Sequence, residues 1–380
     1  MSKLKVLMFS DSFYPTTGGR ERVIDEQMKA LSPLVDITLV CPKGKFDDAT
    51  LPYKVYRTKG ISFPHLGTNA IVDKRLKKFT KSNLPDVIYV QTKYALASYA
   101  LKLKKKYGVP LVFACHTDYE AVYKQTVGIF AKPAIKAVVK KLNGADLVIA
   151  VSNFLKQKLI KLGVKTSIKV VPNGTIANAE FLANQANYLM AVKQKYELFG
   201  VNNLLLYVGR VEDKKNVAFM FSALADVKQV YKTNFKLLLA GKVEQKKYYK
   251  LAKKLKIDDS VMFLGEIKSK PELLALYTLA DLLLSPTIAD TYNLVVDEAG
   301  LCKTPSAIVT GTPMAERIVN EQNGIVSNLD KAEYAQKIFL FLKNKKDMAL
   351  LGENAYNTLP KKYDQIAKTI LDLFEKQVKR

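Results

Sequence analysis

The sequence predicts two doubly wound α/β domains facing a cleft, on three observations. Its 380 residues exceed what one ordinary core holds, short β-rich apolar runs alternate with helical patterns, and that alternation starts afresh near residue 200. The first series is Val6–Phe9, Val35–Val40, Val87–Val90, Leu111–Ala114, Leu147–Ala150 and Ile168–Val171; the second is Leu204–Val208, Phe235–Ala240, Val261–Leu264, Leu282–Leu284 and Ser306–Val309. Runs of this kind, apolar throughout and followed by helices, belong to parallel sheets covered on both faces. The turn Pro172-Asn173-Gly174 and a polar stretch reaching residue 200 separate the series and place the hinge there. The domains are therefore expected at 1–174 and 175–359. From Tyr356 to Arg380 the spacing of Ile366, Ile370, Leu371 and Phe374 predicts a helix, whose stretch over 360–380 is free to return to the first domain.

Composition narrows the function classes. At 48% hydrophobic and 25% charged residues, the chain is globular, neither collagen-like nor disordered. Cys41, Cys115 and Cys302 are odd in number and far apart, which fits neither a disulfide framework nor a thiolate metal site and points to a reducing compartment. The apolar run Val6–Phe9 is too short for a signal peptide, and no stretch is long enough to span a bilayer, so the expectation is the cytosol or the inner face of its membrane. The net charge of +25 calls for an anionic partner. Residues 1–171 carry 30 basic against 12 acidic side chains, whereas 172–380 carry 30 against 23, so the excess belongs to the first domain. Nucleic acid fits the charge, but no recognition motif accompanies it.

Four segments carry chemistry. Ser10-Asp11-Ser12-Phe13-Tyr14-Pro15-Thr16-Thr17-Gly18-Gly19-Arg20 joins the first strand to an amphipathic helix, and Gly18 and Gly19 let backbone N–H groups come close to a phosphate or sugar at a helix N-terminus. A tight strand-to-helix turn explains the same pair, and no G-x-G-x-x-G is present. Gly209-Arg210-Val211-Glu212-Asp213-Lys214-Lys215 follows the first strand of the second domain. There Arg210 and Lys215 can neutralise a diphosphate together, or can salt-bridge their acidic neighbours. Asp290 and Glu298 bracket a turn and a helix start, Asn293 and Leu294 between them; one acid can meet a sugar ring and the other a ribose diol, while the amides between face the diphosphate, or Asp290 can simply cap the helix. His116 follows the strand Leu111–Ala114, where it can donate a hydrogen bond to a substrate hydroxyl. Cys115 reads as core, since no orienting base accompanies it.

Taken together, these segments resemble the retaining glycosyltransferases of family 4, which have the GT-B fold. Val171-Pro172-Asn173-Gly174, Phe263-Leu264-Gly265, Gly311 to Glu316 and Asn323-Gly324 extend the likeness over almost the whole chain. The resemblance implies that Arg210 and Lys215 hold the donor diphosphate, that Glu298 binds the nucleotide ribose, and that His116 lies beside the transferred sugar. Two positions depart from the pattern: Asp290 replaces a longer Glu, and Tyr292-Asn293-Leu294 replaces Phe-Gly-Leu. Asn tolerates the backbone conformation that Gly supplies. Altered donor choice and loss of catalysis are both open readings of these changes.

The function expected is transfer of a hexose, with retention, from a nucleotide sugar (UDP-hexose) to a diacylglycerol-type lipid acceptor, without metal or cofactor. The alternatives are a soluble or polymer-linked glycan acceptor, and a non-catalytic relative that partners an active transferase. Lys132, Lys136, Lys140 and Lys141, opposite the apolar stripe Ile135, Val138, Val139 and Leu142, are expected to face an anionic membrane. A solvated helix packed on a core has the same pattern.

Overall fold

The structure is a computed structural model that describes residues 3–379 except 17, 64–66, 176–177 and 244–245. Its strands are β1 (Lys5–Phe9), β2 (Asp36–Pro42), β3 (Lys54–Thr58), β4 (Gly60–Phe63), β5 (Gly67–Ala70), β6 (Val87–Val90), β7 (Leu111–Cys115), β8 (Leu147–Ala150), β9 (Ile168–Val170), β10 (Leu204–Val208), β11 (Lys236–Ala240), β12 (Val261–Gly265), β13 (Leu282–Ser285), β14 (Ser306–Val309) and β15 (Ile325–Ser327). Two parallel sheets result, in the orders β3-β2-β1-β6-β7-β8-β9 and β12-β11-β10-β13-β14-β15, while β4 and β5 form a separate antiparallel ribbon.

The chain divides into two compact units, Met1–Gly174 with Lys361–Arg380, and Thr175–Pro360. In the second unit, alternate residues of each strand feed opposite faces. Leu205, Tyr207, Leu237 and Leu239 join one core, and Leu204, Leu206, Leu238 and Ala240 join the other. A strand buried on both faces has no polar side to show, so the apolar runs in the sequence are unbroken. In the first unit Val6, Met8, Tyr89 and Val112 pack with Ile24, Met28 and Leu31 of the helix Gly19–Leu31.

Sequence and structure differ at several elements. The segment left without a pattern through residue 200 holds two helices, Ala179–Ala183 and Gln185–Lys195, whose few core contacts, among them Phe181 and Val192, gave too weak a period to read. Strands β3, β4, β5 and β15 were not expected; β3, Lys-Val-Tyr-Arg-Thr, is a sheet edge with a charged residue among its central positions. The tail is two helices, Lys345–Thr358 and Tyr363–Val378, because Pro360 interrupts the first. The second of these does return to the first unit: Ile366, Ala367, Ile370 and Phe374 enter its core, and Phe374 meets the ring of Tyr89 edge-on at 5.2 Å.

That packing sets an expectation for stability. Phe374 has no exposed surface, so Phe374→Ala should cost about 3–5 kcal/mol through the cavity it leaves, whereas Val378→Ala, at a position 43% exposed, should stay within about 0.5 kcal/mol. Urea midpoints of the two variants provide the measurement, and equal shifts would mean that the tail is not part of the core.

Candidate functional site

In each sheet the strand order reverses beside the first strand of its series, at β1/β6 and at β10/β13. Loops leaving such neighbours diverge to opposite faces and open a crevice at the carboxyl ends of the strands. The polar chemistry of each unit collects there.

In the first unit, a cavity of about 300 Å³ is lined by residues that include Asp11, Ser12, Arg20, Gln91, Lys93 and His116. Gly18 precedes the helix Gly19–Leu31 in extended backbone, so its conformation does not demand glycine, and nothing lies within 4 Å of where a Cβ on Gly19 would sit. Gly19 provides room above a helix N-terminus, while a Cβ on Gly18 would meet the Glu21 carboxylate at 2.6 Å. Thr17 lies outside the described residues. The loop is pinned from behind: the Ser12 hydroxyl donates to Glu21, and Tyr14 and Tyr53 donate to Asp25 at 2.9 and 2.6 Å.

Asp11 is 2% exposed and both its carboxylate oxygens lack a hydrogen-bond partner. Burial pushes its carboxyl up to about 6, against partial support from nearby N–H groups of Tyr94 and Ala70, which fall short of hydrogen bonds, and from the charges of Arg20 and Lys141. His116 stands across from Gln91, Nε2 to Oε1 at 3.0 Å, and the Gln91 amide donates to Gln27 at 2.7 Å. That chain of donors assigns the imidazole proton to Nε2. Burial, with Arg20 nearby, brings the ring down to about 4, so His116 is neutral, and its Nε2 proton goes to Gln91. Lys93 is lowered to about 8 by burial and by Arg20. The Cys115 thiol is buried, takes a hydrogen bond from the Tyr119 hydroxyl, and is pushed up to about 12 by burial, consistent with a core role.

In the second unit, Lys215 and Asp290 meet directly, Nζ to Oδ2 at 2.9 Å. Their segments leave the neighbouring strands β10 and β13, which is why residues 75 apart in sequence touch. Arg210 is largely exposed and ion-pairs with Glu212 at 3.1 Å. Asn293 adopts the left-handed conformation, φ 66°, and its amide donates to Ser285 at 2.8 Å, so Asn holds the turn where the family pattern has Gly. Leu294 then opens the helix Leu294–Leu301, whose first-turn N–H groups give that end of the site a positive potential. One turn on, Glu298 accepts from Lys270 at 2.7 Å and from Tyr277 at 3.0 Å. Beneath the turn, Arg317 forks onto the buried Asp297 at 2.6 and 3.1 Å and donates to the Tyr292 hydroxyl at 2.7 Å.

Sequence reasoning named Arg210, Lys215, Asp290, Asn293, Leu294, Glu298 and His116, but passed over Arg317, Asp11, Gln91 and Lys93 as site residues. A position signal existed for three of them: Asp11, Gln91 and Lys93 fall within three residues of the ends of β1 and β6. Arg317 carried none, because its partner Asp297 lies on a different element. Of the lysines expected to face a membrane, Lys132, Lys136 and Lys140 are exposed. Lys141 is a correction: it is half-buried and its ammonium donates to the carbonyls of Lys93 at 2.6 Å and Tyr94 at 3.2 Å, in the loop after β6, which turns it away from solvent.

Asp11 yields a signed pH dependence. Its folded carboxyl is raised from 3.8 to about 6, so its contribution to stability is whole below pH 3.8 and is lost as pH rises through 6. Asp11→Asn should therefore stabilise the protein near pH 7.5 by about 2–3 kcal/mol, with the gain closing as pH falls towards 4. Denaturation midpoints of both forms across that range provide the check; a constant difference would contradict it.

Comparison with known proteins identifies the fold and family. Residues 17–177 match the domain described as Glycosyltransferase Family 4, and residues 191–358 match Glycosyl transferases group 1. The alpha-monoglucosyldiacylglycerol synthase of Acholeplasma laidlawii is 22% identical over 99% of both chains. A glycogen synthase of Mycobacterium tuberculosis is 26% identical over 85% of this chain and 82% of its own. Among solved structures, Anabaena Alr3699/HepE in complex with UDP-glucose superposes with a TM-score of 0.77 over 98% of this chain and all of that one, at 19% identity. With both domain types matched in order over most of its length, the chain belongs to the family 4 glycosyltransferases and has the GT-B fold.

Proposed function

We propose that this glycosyltransferase moves a hexose, with retention, from UDP-hexose to a diacylglycerol-type lipid acceptor at the cytoplasmic face of a membrane. The second unit binds the donor and the first unit the acceptor. The observation that carries the donor half is the meeting of Lys215 with Asp290 at the β10/β13 crevice, beside Arg210 and the start of the helix Leu294–Leu301. In this reading Lys215 and Arg210 take the charge that builds on the leaving diphosphate, helped by the first amides of the helix. Two fixed cations supply this stabilisation without requiring a metal. Asp290, released from Lys215 as the diphosphate arrives, accepts a hydroxyl of the transferred sugar. Glu298, held by Lys270 and Tyr277, accepts the ribose diol. Arg317 keeps Tyr292, and with it the turn, in place. The UDP-glucose bound by Anabaena HepE supports the choice of donor.

The acceptor half rests on the first unit's charge and on one apolar tip. Ile129 and Phe130 are 89% and 66% exposed, directly before the helix Ala131–Leu142 that shows Lys132, Lys136 and Lys140 to solvent. Apolar side chains leading a basic helix suit the interface of an anionic bilayer. No helix among the described residues is long and apolar enough to cross a membrane, which agrees with peripheral attachment. The monoglucosyldiacylglycerol synthase relative supports a lipid acceptor; the glycogen synthase relative supports the second reading, a glycan acceptor.

Two experiments test this. Arg210→Ala and Lys215→Ala should each weaken UDP binding by roughly 1.5–3 kcal/mol. Glu298→Gln should lose UDP affinity, while Asp290→Asn should lose turnover with UDP affinity intact, because Lys215 is then freed for the diphosphate. Calorimetry with UDP and transfer assays separate these outcomes, and unaltered binding in both cation variants would place the diphosphate elsewhere. For the membrane, neutralising Lys132, Lys136 and Lys140 should release the protein from anionic vesicles, at about 1 kcal/mol per lysine. The same change at Lys246, Lys253 and Lys254, exposed on the second unit, should release little. Binding should also fall with salt; absence of vesicle binding would favour the glycan acceptor.

A further inference from the structure

The cavity of the first unit has more cationic chemistry than a neutral acceptor uses. The Lys93 ammonium sits over the rings of Tyr123, Tyr94 and Tyr119 at 4.2, 5.3 and 5.4 Å. Among the described residues, it has no carboxylate within ion-pair distance. Arg20, one-third exposed, has a single long contact of 3.4 Å to Glu21. It lines the cavity together with Asp11, His116 and Lys93, and its charge acts on all three. The Asp11 end offers two buried, unpartnered carboxylate oxygens; the Lys93 end offers a cation in an aromatic setting. Lys141, the other cation near Asp11, already donates to backbone carbonyls.

A buried carboxylate left without donors is costly, and so are two cations that repel each other in a half-dry pocket. A neutral diol would satisfy Asp11 and leave Arg20 and Lys93 unmatched. An anion alone would do the reverse. We propose that the cavity takes an acceptor head bearing a phosphate ester beside a free hydroxyl, with the phosphate between Arg20 and Lys93 and the hydroxyl donating to Asp11. This deepens the reading of the first unit as the acceptor domain and rests on it. Among diacylglycerol-type lipids it selects those with a phosphoglycerol head. A free polyol phosphate has the same chemistry.

The test uses the full chain and trace acetylation of lysines at pH 8, read by peptide mass spectrometry, with Lys254, exposed on the second unit, as internal reference. Because Lys93 is lowered to about 8, its free amine is populated there and labels readily. sn-Glycerol 3-phosphate and dioctanoyl phosphatidylglycerol should slow labelling of Lys93 by about tenfold relative to Lys254, the scale of one charge-assisted contact. Glycerol and dioctanoylglycerol should leave it unchanged. Protection by the lipid alone assigns the source to a lipid head, and protection by glycerol 3-phosphate alone assigns it to a free phosphate. Equal protection by charged and neutral probes, or none by any, overturns the proposal. In Asp11→Asn, the concentration of phosphate probe needed for protection should rise about tenfold; an unchanged concentration would remove the hydroxyl contact from the proposal. UDP and UDP-hexoses titrated in the same samples, read by thermal shift, report on the second unit separately. No shift with any of them would count against the transferase reading and leave the outcome at Lys93 standing.

Discussion

A parallel sheet covered on both faces has only its strand ends for polar side chains, and this constraint organises both units. Tyr207, Leu239 and Leu284 face one core while Leu206, Leu238 and Leu283 face the other, so along the middle of such a central strand a charged group would be buried unpaired. The chemistry is displaced to the carboxyl ends. Where the strand order reverses, diverging loops leave space for a ligand, and Asp11 and Lys93 in one unit and Lys215 and Asp290 in the other fall at those two positions.

The two sites handle charge in different ways. In the second unit nearly every ionic group has a partner: Lys215 with Asp290, Lys270 with Glu298, and Arg317 with Asp297. Such pairs keep the side chains in place before a ligand arrives, and an anionic ligand would have only to exchange one anion for another. The Arg317 fork is the deepest of these contacts, since it joins the helix holding Asp297 to the turn holding Tyr292. In the first unit the groups are less matched. Asp11 has no hydrogen-bond donor and Lys93 no counter-ion among the described residues, and burial shifts both towards neutrality. Groups held out of their preferred state lower stability and gain most when a complementary ligand binds.

His116 and Lys141 show how neighbouring groups fix side chains that the sequence alone leaves unplaced. The ring of His116, after a buried strand, is held through Nε2 by Gln91, itself fixed by Gln27. A lysine in the basic helix Ala131–Leu142 reads as solvated, yet Lys141 turns inward to the carbonyls of Lys93 and Tyr94. A loop carbonyl can hold a long side chain that could otherwise reach solvent.

The sequence by itself determined the fold class, the two-part division near Gly174 and the first-unit excess of positive charge, and it singled out the loop residues Arg210, Lys215, Asp290 and Glu298 as candidates, because each of these is written in local pattern or in a short motif. Apolar runs give strands and the charge count needs no coordinates. Weak or interrupted patterns were lost: the helices over 179–195 expose most of their surface, edge strand β3 carries charge, and Pro360 divides a tail that periodicity read as continuous. Only the tertiary structure decided which distant groups touch. Asp290 reaches Lys215 across 75 residues, Arg317 reaches Asp297 across 20, and Asp11 comes to share a cavity with Lys93 and His116. Strand order brings those ends together, and it follows from the burial of whole faces, which no local window of sequence contains.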